Sequence, residues 1–364
     1  MVVAMVVAAV CRTPGHRLVL EELSLGSPMS SEVVVDIDAV GLCHTDWAIA
    51  RGVFPVPFPV VLGHEGTGII REVGALVTEL VVGDRVVLTG PRCRRCRFCM
   101  AGRPAYCENA DALSFSCCRS DGSSSLSTAD GEPVGSHYFG QSSFASKVVS
   151  PADACVVIDR DVPAAVAAPL GCGVVTGWGA ITRSLKVRSE DTVVVVGAGT
   201  VGLSAVCAAR AVGATMIVVV EPVPERRALA RSLGATDAVT PGEAPELRAQ
   251  SGGFDVVVST FGSPDAVATS IALAGRCGRI GIIGGAQKGS AQLDVNDVLF
   301  SGKEIRGIRM GDQIASQTIP ELVRQWRAGR LPIEQLTTEY PLAQINEAID
   351  DASAGRVVKA VLRP

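Results

Sequence analysis

The stretch Val193–Gly202 reads VVVVGAGTVG and decides the fold of the chain. Four consecutive β-branched residues predict a strand that is buried on both faces, as in a parallel sheet. The spacing of Gly197, Gly199 and Gly202 predicts a tight turn from this strand into a helix. Residues 201–212 continue with apolar side chains spaced along one helix face. The stretch therefore predicts a strand–turn–helix unit of an α/β protein.

The same alternation continues outward along the chain. Three further segments have the composition of short buried strands, Met216–Val220, Phe254–Ser259 and Arg279–Ile283, and Pro224–Leu233 has that of a helix. Strands that alternate with helices predict a doubly wound parallel sheet.

The first 90 residues have a different pattern, which is rich in strand candidates. These are Val33–Val40, Gly63–Val73 and Asp84–Leu88, bounded by glycines. The apolar start MVVAMVVAAV lacks a basic segment and a cleavage site, so it predicts a buried first strand and not a signal peptide. Near the end we expect two amphipathic helices and a last strand, at Ala315–Ala328, Leu342–Ala354 and Val357–Leu362.

Composition excludes several classes of protein. The 364 residues are 48% hydrophobic and 19% charged, which is enough apolar material for a core. No apolar run reaches about 18 residues, so we expect no membrane span. The net charge of −4 argues against a nucleic-acid partner. With no signal peptide, the 12 cysteines indicate a reducing, cytoplasmic location and favour metal binding over disulfides.

The glycine-rich turn predicts a dinucleotide site. In such a turn the first glycine permits the bend, the second admits a pyrophosphate and the third lets helix and strand pack closely. The N-terminus of the helix, at Thr200 and Val201, offers N–H groups to phosphates. Glu221, 19 residues beyond Gly202, is placed to bind the ribose diol and to repel a 2′-phosphate, which favours NAD. Arg226 and Arg227 keep NADP open as the alternative.

Four cysteines lie within 15 residues, at Cys93, Cys96, Cys99 and Cys107. Four thiolates with no open position are typical of a closed structural zinc site. An iron–sulfur cluster has the same ligand type and is the alternative.

Three more candidate ligands are far apart in sequence: Cys43, His64 and Cys172. Taken singly, each can be an ordinary buried residue. Together, two thiolates and an imidazole would leave zinc a fourth position for substrate, which Lewis-acid catalysis requires.

The motifs around these residues resemble those of the zinc-dependent medium-chain alcohol dehydrogenases. They are GLCHTD (41–46), GHEGTG (63–68), GCGVVTG (171–177), GAGTVG (197–202) and GRVVKAVL (355–362). Within that family the stretch YFGQSSFA (138–145) is most like the aryl (benzyl) alcohol dehydrogenases.

The resemblance implies two domains. A GroES-like, β-rich catalytic domain spans 1–176 and is completed by 313–364, and a Rossmann domain that binds NAD spans 177–312. It also implies two zinc ions per chain. The long insert from about residue 110 to 137 is similar to that of dimeric members, so we expect a homodimer, with a tetramer as the alternative.

The resemblance also assigns roles to single residues. Cys43, His64 and Cys172 match the ligands of the catalytic zinc, Glu65 a glutamate near that metal, and Asp46 the carboxylate that orients the histidine. Thr45 matches the hydroxyl that hydrogen-bonds the alcohol oxygen. The cofactor contacts implied are His44 and Lys359 at the pyrophosphate and Thr176 and Val201 beside the nicotinamide.

The substrate pocket is inferred by position only. Its candidate residues, all on the catalytic domain, are Trp47, Phe54, Thr89, Tyr138 and Phe139. Several aromatic rings at these positions favour a flat or apolar substrate. The chain departs from many members at Ala48, where they carry a histidine that ends a proton relay, so the relay must end at His44 or at a ribose hydroxyl and water.

The expected function is reversible hydride transfer between NAD and a primary aromatic, allylic or other apolar alcohol. Three alternatives stay open: a thiol-dependent formaldehyde dehydrogenase, an NADPH-dependent aldehyde or iminium reductase, and a non-catalytic binding protein on the same fold. The expected partner is a small-molecule alcohol or aldehyde, with no membrane and no nucleic acid.

Overall fold

A computed structural model describes residues 4–285 and 290–364 of the chain. Within these ranges it contains 18 strands and 12 α-helices. The strands are β1 (Ala4–Cys11), β2 (Val19–Leu25), β3 (Glu32–Gly41), β4 (Val60–Val61), β5 (Gly66–Val73), β6 (Arg85–Leu88), β7 (Leu126–Ser127), β8 (Pro133–Val134), β9 (Lys147–Pro151), β10 (Cys155–Ile158), β11 (Thr192–Val196), β12 (Met216–Val220), β13 (Asp237–Val239), β14 (Phe254–Ser259), β15 (Ala274–Ile282), β16 (Glu304–Gly307), β17 (Thr337–Pro341) and β18 (Lys359–Arg363).

The helices are distributed through the same chain order. They are α1 (His44–Ala50), α2 (Arg97–Met100), α3 (Ala110–Phe115), α4 (Ala164–Ala167), α5 (Gly173–Gly179), α6 (Thr200–Val212), α7 (Pro224–Leu233), α8 (Ala244–Ser251), α9 (Pro264–Leu273), α10 (Val295–Ser301), α11 (Ala315–Arg327) and α12 (Ile345–Ser353).

The chain divides into two compact units. The first contains residues 1–172, 314–323 and 333–364, and the second contains residues 173–313 and 324–332. The division falls at the start of α5, which packs closely on α6. A Cβ placed on Gly177 of α5 would lie 1.9 Å from the carbonyl oxygen of Val201 in α6.

The second unit is built on one parallel sheet of six strands. Their order is β13-β12-β11-β14-β15-β16, with β11 in the middle between β12 and β14. The valines of β11 from Val193 to Val195 are fully buried, as expected for a strand covered on both faces. The prediction of a doubly wound sheet is confirmed.

The first unit is β-rich and contains two sheets. One has the order β4-β1-β2-β7-β8, and the other has the order β10-β6-β5-β3-β18-β17 with β9 also paired to β3. The C-terminal strand β18 joins β3 with Val361 opposite Gly41, so the end of the chain completes this unit. The predicted strand Gly63–Val73 is shorter than expected. Residues 63–65 form a loop because Gly63 adopts a φ of +90°.

Among the described residues, no single helix is both long and apolar enough to cross a membrane. The bent pair formed by residues 164–171 and 173–184 passes that test by length and composition only.

Candidate functional site

The three distant ligand candidates meet in the first unit. Cys43 precedes α1, His64 lies in the loop between β4 and β5, and Cys172 follows the short turn that ends at Gly171. Their ligand atoms, with a carboxylate oxygen of Glu65, all lie within 4.8 Å of one another. Two thiolates on a tetrahedral zinc lie about 3.8 Å apart. The donor set therefore fits zinc.

Asp46 orients two members of this cluster. Its Oδ1 lies 2.7 Å from His64 Nδ1, and its Oδ2 accepts a 2.9 Å hydrogen bond from the Cys43 backbone N–H. Both carboxylate oxygens are thus used in the interior, where Asp46 is 1% exposed. The contact at Nδ1 leaves Nε2 as the ligand nitrogen of His64.

Hydrogen bonds and neighbouring charges shift the pKa values of all three ligand candidates. A hydrogen bond from the Cys172 thiol lowers the pKa of Cys43 well below its usual range, against the effect of burial. The same bond, with burial, raises the pKa of Cys172. Burial lowers the pKa of His64, but the charges of Asp46 and Cys43 outweigh it, so the net shift is upward. A bound metal would replace these protons.

Glu65 and Lys359 form an ion pair beside the cluster. Lys359 Nζ lies 2.8 and 3.0 Å from the two carboxylate oxygens of Glu65 and donates to the Leu42 carbonyl at 2.9 Å. Lys359 is 3% exposed and Glu65 is fully buried. The pairing of β18 with β3 places the Lys359 ammonium against Glu65. The pyrophosphate contact implied for Lys359 stays a prediction.

The four clustered cysteines form a second site in the same unit. The ligand atoms of Cys93, Cys96, Cys99 and Cys107 lie within 4.8 Å of one another. Backbone N–H groups point at the sulfurs, with Cys93 N to Cys107 Sγ at 3.3 Å and Cys96 N to Cys93 Sγ at 3.4 Å. Hydrogen bonds from the Arg95 backbone, the Asn109 side chain and the Cys96 backbone lower the pKa of Cys93 to about 6. This arrangement fits a closed zinc site.

Thr45 and Ala48 lie on α1, next to the first cluster. The Cys43 Sγ and Thr45 Oγ1 atoms are 3.8 Å apart, so the threonine hydroxyl adjoins the ligand set. Ala48 is 2% exposed. His44 lies on the exposed side of α1, where its ring packs 4.0 Å from that of Trp47.

The glycine-rich turn of the second unit has the form that a dinucleotide site requires. Gly197 adopts a φ of +97°, which disfavours other residues. A Cβ on Gly202 would lie 1.9 Å from the Gly197 carbonyl, so helix and turn are in direct contact. A Cβ on Gly199 would meet nothing within 4 Å, which leaves open space at the N-terminus of α6.

Glu221 links the end of β12 to this turn. Its Oε2 accepts a 2.7 Å hydrogen bond from the Ala198 N–H, and its Oε1 accepts one of 3.0 Å from the Val223 N–H. Arg226 is half-buried on α7, and Arg227 caps the Glu221 and Pro222 carbonyls at 2.8 Å.

Thr176 and Val201 lie on α5 and α6, the two helices in contact through Gly177. The structure therefore brings these two predicted nicotinamide neighbours together within the second unit.

The five pocket candidates differ in their surroundings. Phe54 is 38% exposed, and Trp47 and Phe139 are half-buried. Tyr138 is 0% and Thr89 1% exposed. These last two are packed in the interior and do not line an accessible surface, which corrects the expectation for them. Thr89 Oγ1 donates to the Ala154 carbonyl at 3.0 Å.

The rings at 138 and 139 instead surround the metal-site histidine. Phe139 stacks on His64 with ring centroids 4.6 Å apart, and Tyr138 meets it edge-on at 5.8 Å. Phe139 holds a left-handed φ of 48°, a conformation that costs energy and clusters at functional sites.

Sequence reasoning missed one residue of this region, Gln141. It is fully buried, and its amide bonds the backbone on both sides of Glu65. The only signal was the quoted stretch YFGQSSFA, which does not by itself indicate a role for the glutamine.

Comparison with known proteins defines the class. Residues 29–160 match the family model of the alcohol dehydrogenase GroES-like domain, and residues 200–327 match that of the zinc-binding dehydrogenases. Together with the donor sets described above, these matches show that the chain belongs to the zinc-dependent medium-chain alcohol dehydrogenases.

Particular relatives are similar over nearly the full chain. A geraniol dehydrogenase of Castellaniella defragrans is 39% identical over 98% of this chain and 96% of its own. The crystal structure of benzyl alcohol dehydrogenase from Acinetobacter calcoaceticus superposes with a TM-score of 0.95 at 39% identity, over 99% of both chains. The crystal structure of an alcohol dehydrogenase zinc-binding domain protein from Burkholderia ambifaria superposes with a TM-score of 0.97 at 41% identity, over 100% of this chain and 99% of its own.

Proposed function

We propose that this enzyme is an NAD-dependent alcohol dehydrogenase that oxidises primary allylic and aromatic alcohols and reduces the matching aldehydes. The observation that carries the proposal is the cluster of half-buried Cys43 and Cys172 with the buried His64 and Glu65. Two of the similar proteins are a geraniol dehydrogenase and a benzyl alcohol dehydrogenase, whose names denote an allylic and an aromatic alcohol.

Cys43, His64 and Cys172 would hold the catalytic zinc, and the four clustered cysteines a structural one. When bound, zinc supplies a Lewis acid that favours ionisation of an alcohol and polarises a carbonyl. Asp46 keeps the His64 ring oriented. The Glu65–Lys359 pair keeps a carboxylate next to the ligands without an unbalanced buried charge.

Thr45 is the proton-transfer residue of the proposal. Its hydroxyl adjoins Cys43 Sγ and can accept the alcohol proton while passing its own onward. Because the side chain of Ala48 cannot carry a proton, the onward path runs through His44 or through a ribose hydroxyl and water.

NAD, when bound, supplies the hydride acceptor. The turn at 197–202 would hold its pyrophosphate, with Gly199 as the point of close approach. The Glu221 carboxylate lies at this turn and carries a negative charge that opposes a 2′-phosphate. Thr176 and Val201 would adjoin the nicotinamide.

The enzyme is proposed to act as a cytoplasmic homodimer. In support of a dimer, β16 is the last strand of the six-stranded order, and all four of its residues are exposed. One of these four is the apolar Ile305, at 39%, and two large apolar side chains of the preceding helix α10 are also exposed, Leu299 at 67% and Phe300 at 74%. An edge strand with apolar surroundings needs a cover.

A substrate panel tests the proposed activity. Geraniol, benzyl alcohol and ethanol are each followed at 340 nm with NAD and with NADP. We expect the two larger alcohols to exceed ethanol in kcat/KM by at least about tenfold, because they bury more apolar surface at about 25 cal/mol per Å2. Comparable efficiency on ethanol, a preference for NADP, or activity only on formaldehyde with a small thiol would refute the proposal.

Zinc analysis tests the two sites separately. We expect two zinc ions per chain, and one in each of Cys172→Ser and Cys96→Ser. Cys172→Ser should lose activity and keep its fold, whereas Cys96→Ser should lose stability because a closed site contributes folding energy. Less than one zinc per chain in the active enzyme would refute the assignment.

A further inference from the structure

The stretch Tyr138–Ala145 packs along the loop that carries His64. The Phe144 N–H donates to the Leu62 carbonyl and the Ser143 N–H to the Gly63 carbonyl, both at 2.9 Å. Ser142 Oγ donates to the Val61 carbonyl at 2.5 Å. The loop is therefore held from residue 61 to residue 63 by neighbours in this stretch.

Gln141 continues this contact past the metal ligand. Its Nε2 donates to the His64 carbonyl at 3.0 Å, and its Oε1 accepts from the Gly66 N–H at 3.0 Å. Ser143 Oγ also donates to Oε1, at 3.0 Å. These contacts fix the amide in one orientation, because the reverse would place its NH2 group against the Gly66 N–H.

Space for the Gln141 amide depends on the glycine at position 66. A Cβ there would lie 3.0 Å from Gln141 Oε1 and 2.7 Å from the Ser143 Cβ. Any larger residue would push the amide away from the backbone that it bonds. The second glycine of GHEG is thus explained by the approach of this side chain.

From these contacts we infer that Gln141 is a positioning residue for the metal site. Asp46 fixes the His64 ring at Nδ1, and Gln141 fixes the peptide groups on either side of Glu65. Both anchors are needed to hold a ring nitrogen at one point, since a ring that is held only at Nδ1 can still shift with its backbone. Gln141 is fully buried and acts through the backbone of His64 and Gly66.

The inference rests on the metal site proposed above, and its test is zinc release from the holoenzyme to a chromogenic chelator. The phase of release that is absent in Cys172→Ser belongs to this site. Gln141→Met keeps the volume and loses the three hydrogen bonds. We expect zinc to leave this variant about 10- to 100-fold faster, the typical effect of losing a partner of a metal ligand.

Thr67→Val is the matched control. Thr67 lies on the same strand as Gly66, is fully buried, and donates from Oγ1 to the Val86 carbonyl at 2.8 Å. Its replacement removes a buried hydrogen bond without touching the loop, so Tm should fall while the zinc release rate stays unchanged. An equal acceleration in Thr67→Val, or wild-type release in Gln141→Met, would overturn the inference.

Gln141→Glu gives a second test that does not depend on the methionine variant folding. Its carboxylate keeps the acceptor for the Gly66 N–H and loses the donor for the His64 carbonyl. Zinc should therefore leave this variant faster than it leaves wild type, while Thr67→Val keeps the wild-type release rate. Wild-type release in Gln141→Glu would overturn the inference. If Cys172→Ser shows the same phases of zinc release as wild type, the metal site itself is wrongly assigned.

Discussion

Replacing Glu221 by alanine should weaken both the second unit and its cofactor site. The carboxylate is 4% exposed and accepts two backbone hydrogen bonds, from Ala198 at 2.7 Å and Val223 at 3.0 Å. Hydrogen bonds to a charged group are each worth about 1.5–3 kcal/mol. Water can enter the space left by alanine, so we take the lower limit for each bond. The loss in free energy of unfolding is then about 3 kcal/mol.

For a unit of this size, about 3 kcal/mol lowers Tm by roughly 6–12 °C. If Glu221 binds the ribose as proposed, loss of this charge-assisted contact should also weaken NAD binding by a factor of roughly 10 to 150. The same loss removes the charge that opposes a 2′-phosphate, so the ratio of kcat/KM with NAD to that with NADP should fall.

Scanning fluorimetry and NADH fluorescence titration measure the two effects. Glu225→Ala is the control, because Glu225 lies in the first turn of α7, is exposed, and carries the same charge without these bonds. It should leave Tm and the NADH Kd unchanged. A Glu221→Ala variant with wild-type Tm would refute the bonding, and one with wild-type NADH affinity would refute the role in cofactor binding.

Three further changes test other parts of the first unit. Ala48→His should lower Tm and activity and should not restore a proton relay, because Ala48 is 2% exposed and an imidazole cannot be packed there; a faster rate at low pH would contradict this. Tyr138→Phe should leave Tm unchanged or raise it by a few degrees, since the buried Tyr138 hydroxyl has no hydrogen-bond partner among the described residues; a clear loss in a thermal melt would contradict this. Burial raises the pKa of Glu32, but hydrogen bonds from His137 and Arg119 outweigh it and lower this pKa to about 2. The ionised carboxylate therefore stabilises the fold above pH 4.5, and this stabilisation is lost as the pH falls through 2. Glu32→Gln should flatten the decrease of Tm at acid pH.

The parts of the fold that follow from local sequence were predictable. β12, α7 and β14 have the predicted bounds, because buried valine runs and a proline in the first helical turn leave few alternatives. The roles of the glycines at 197–202 were also predictable, since each depends on neighbours within the same turn.

Contacts between distant segments were not predictable from the residues alone. Cys43, His64 and Cys172 were grouped by resemblance, since no spacing rule connects positions so far apart. The partner of Lys359 depends on the register of β18 against β3, which places Val361 opposite Gly41. The sequence around Lys359 shows only a lysine before an apolar strand, and that pattern fits a cofactor contact as well as a buried ion pair.

Charge balance explains why these distant segments must meet. Asp46 and Glu65 are buried, and Cys43 and Cys172 beside them are half-buried. An unpaired charge in the interior costs several kcal/mol. Lys359 balances Glu65, and the Nδ1–H of His64 satisfies Asp46. Asp46 and the two thiolates of a deprotonated cluster would then carry three negative charges, and a divalent cation would offset two of them. The ion pair supplied by the last strand thus removes the charge of Glu65 from the sum that a bound zinc ion has to balance.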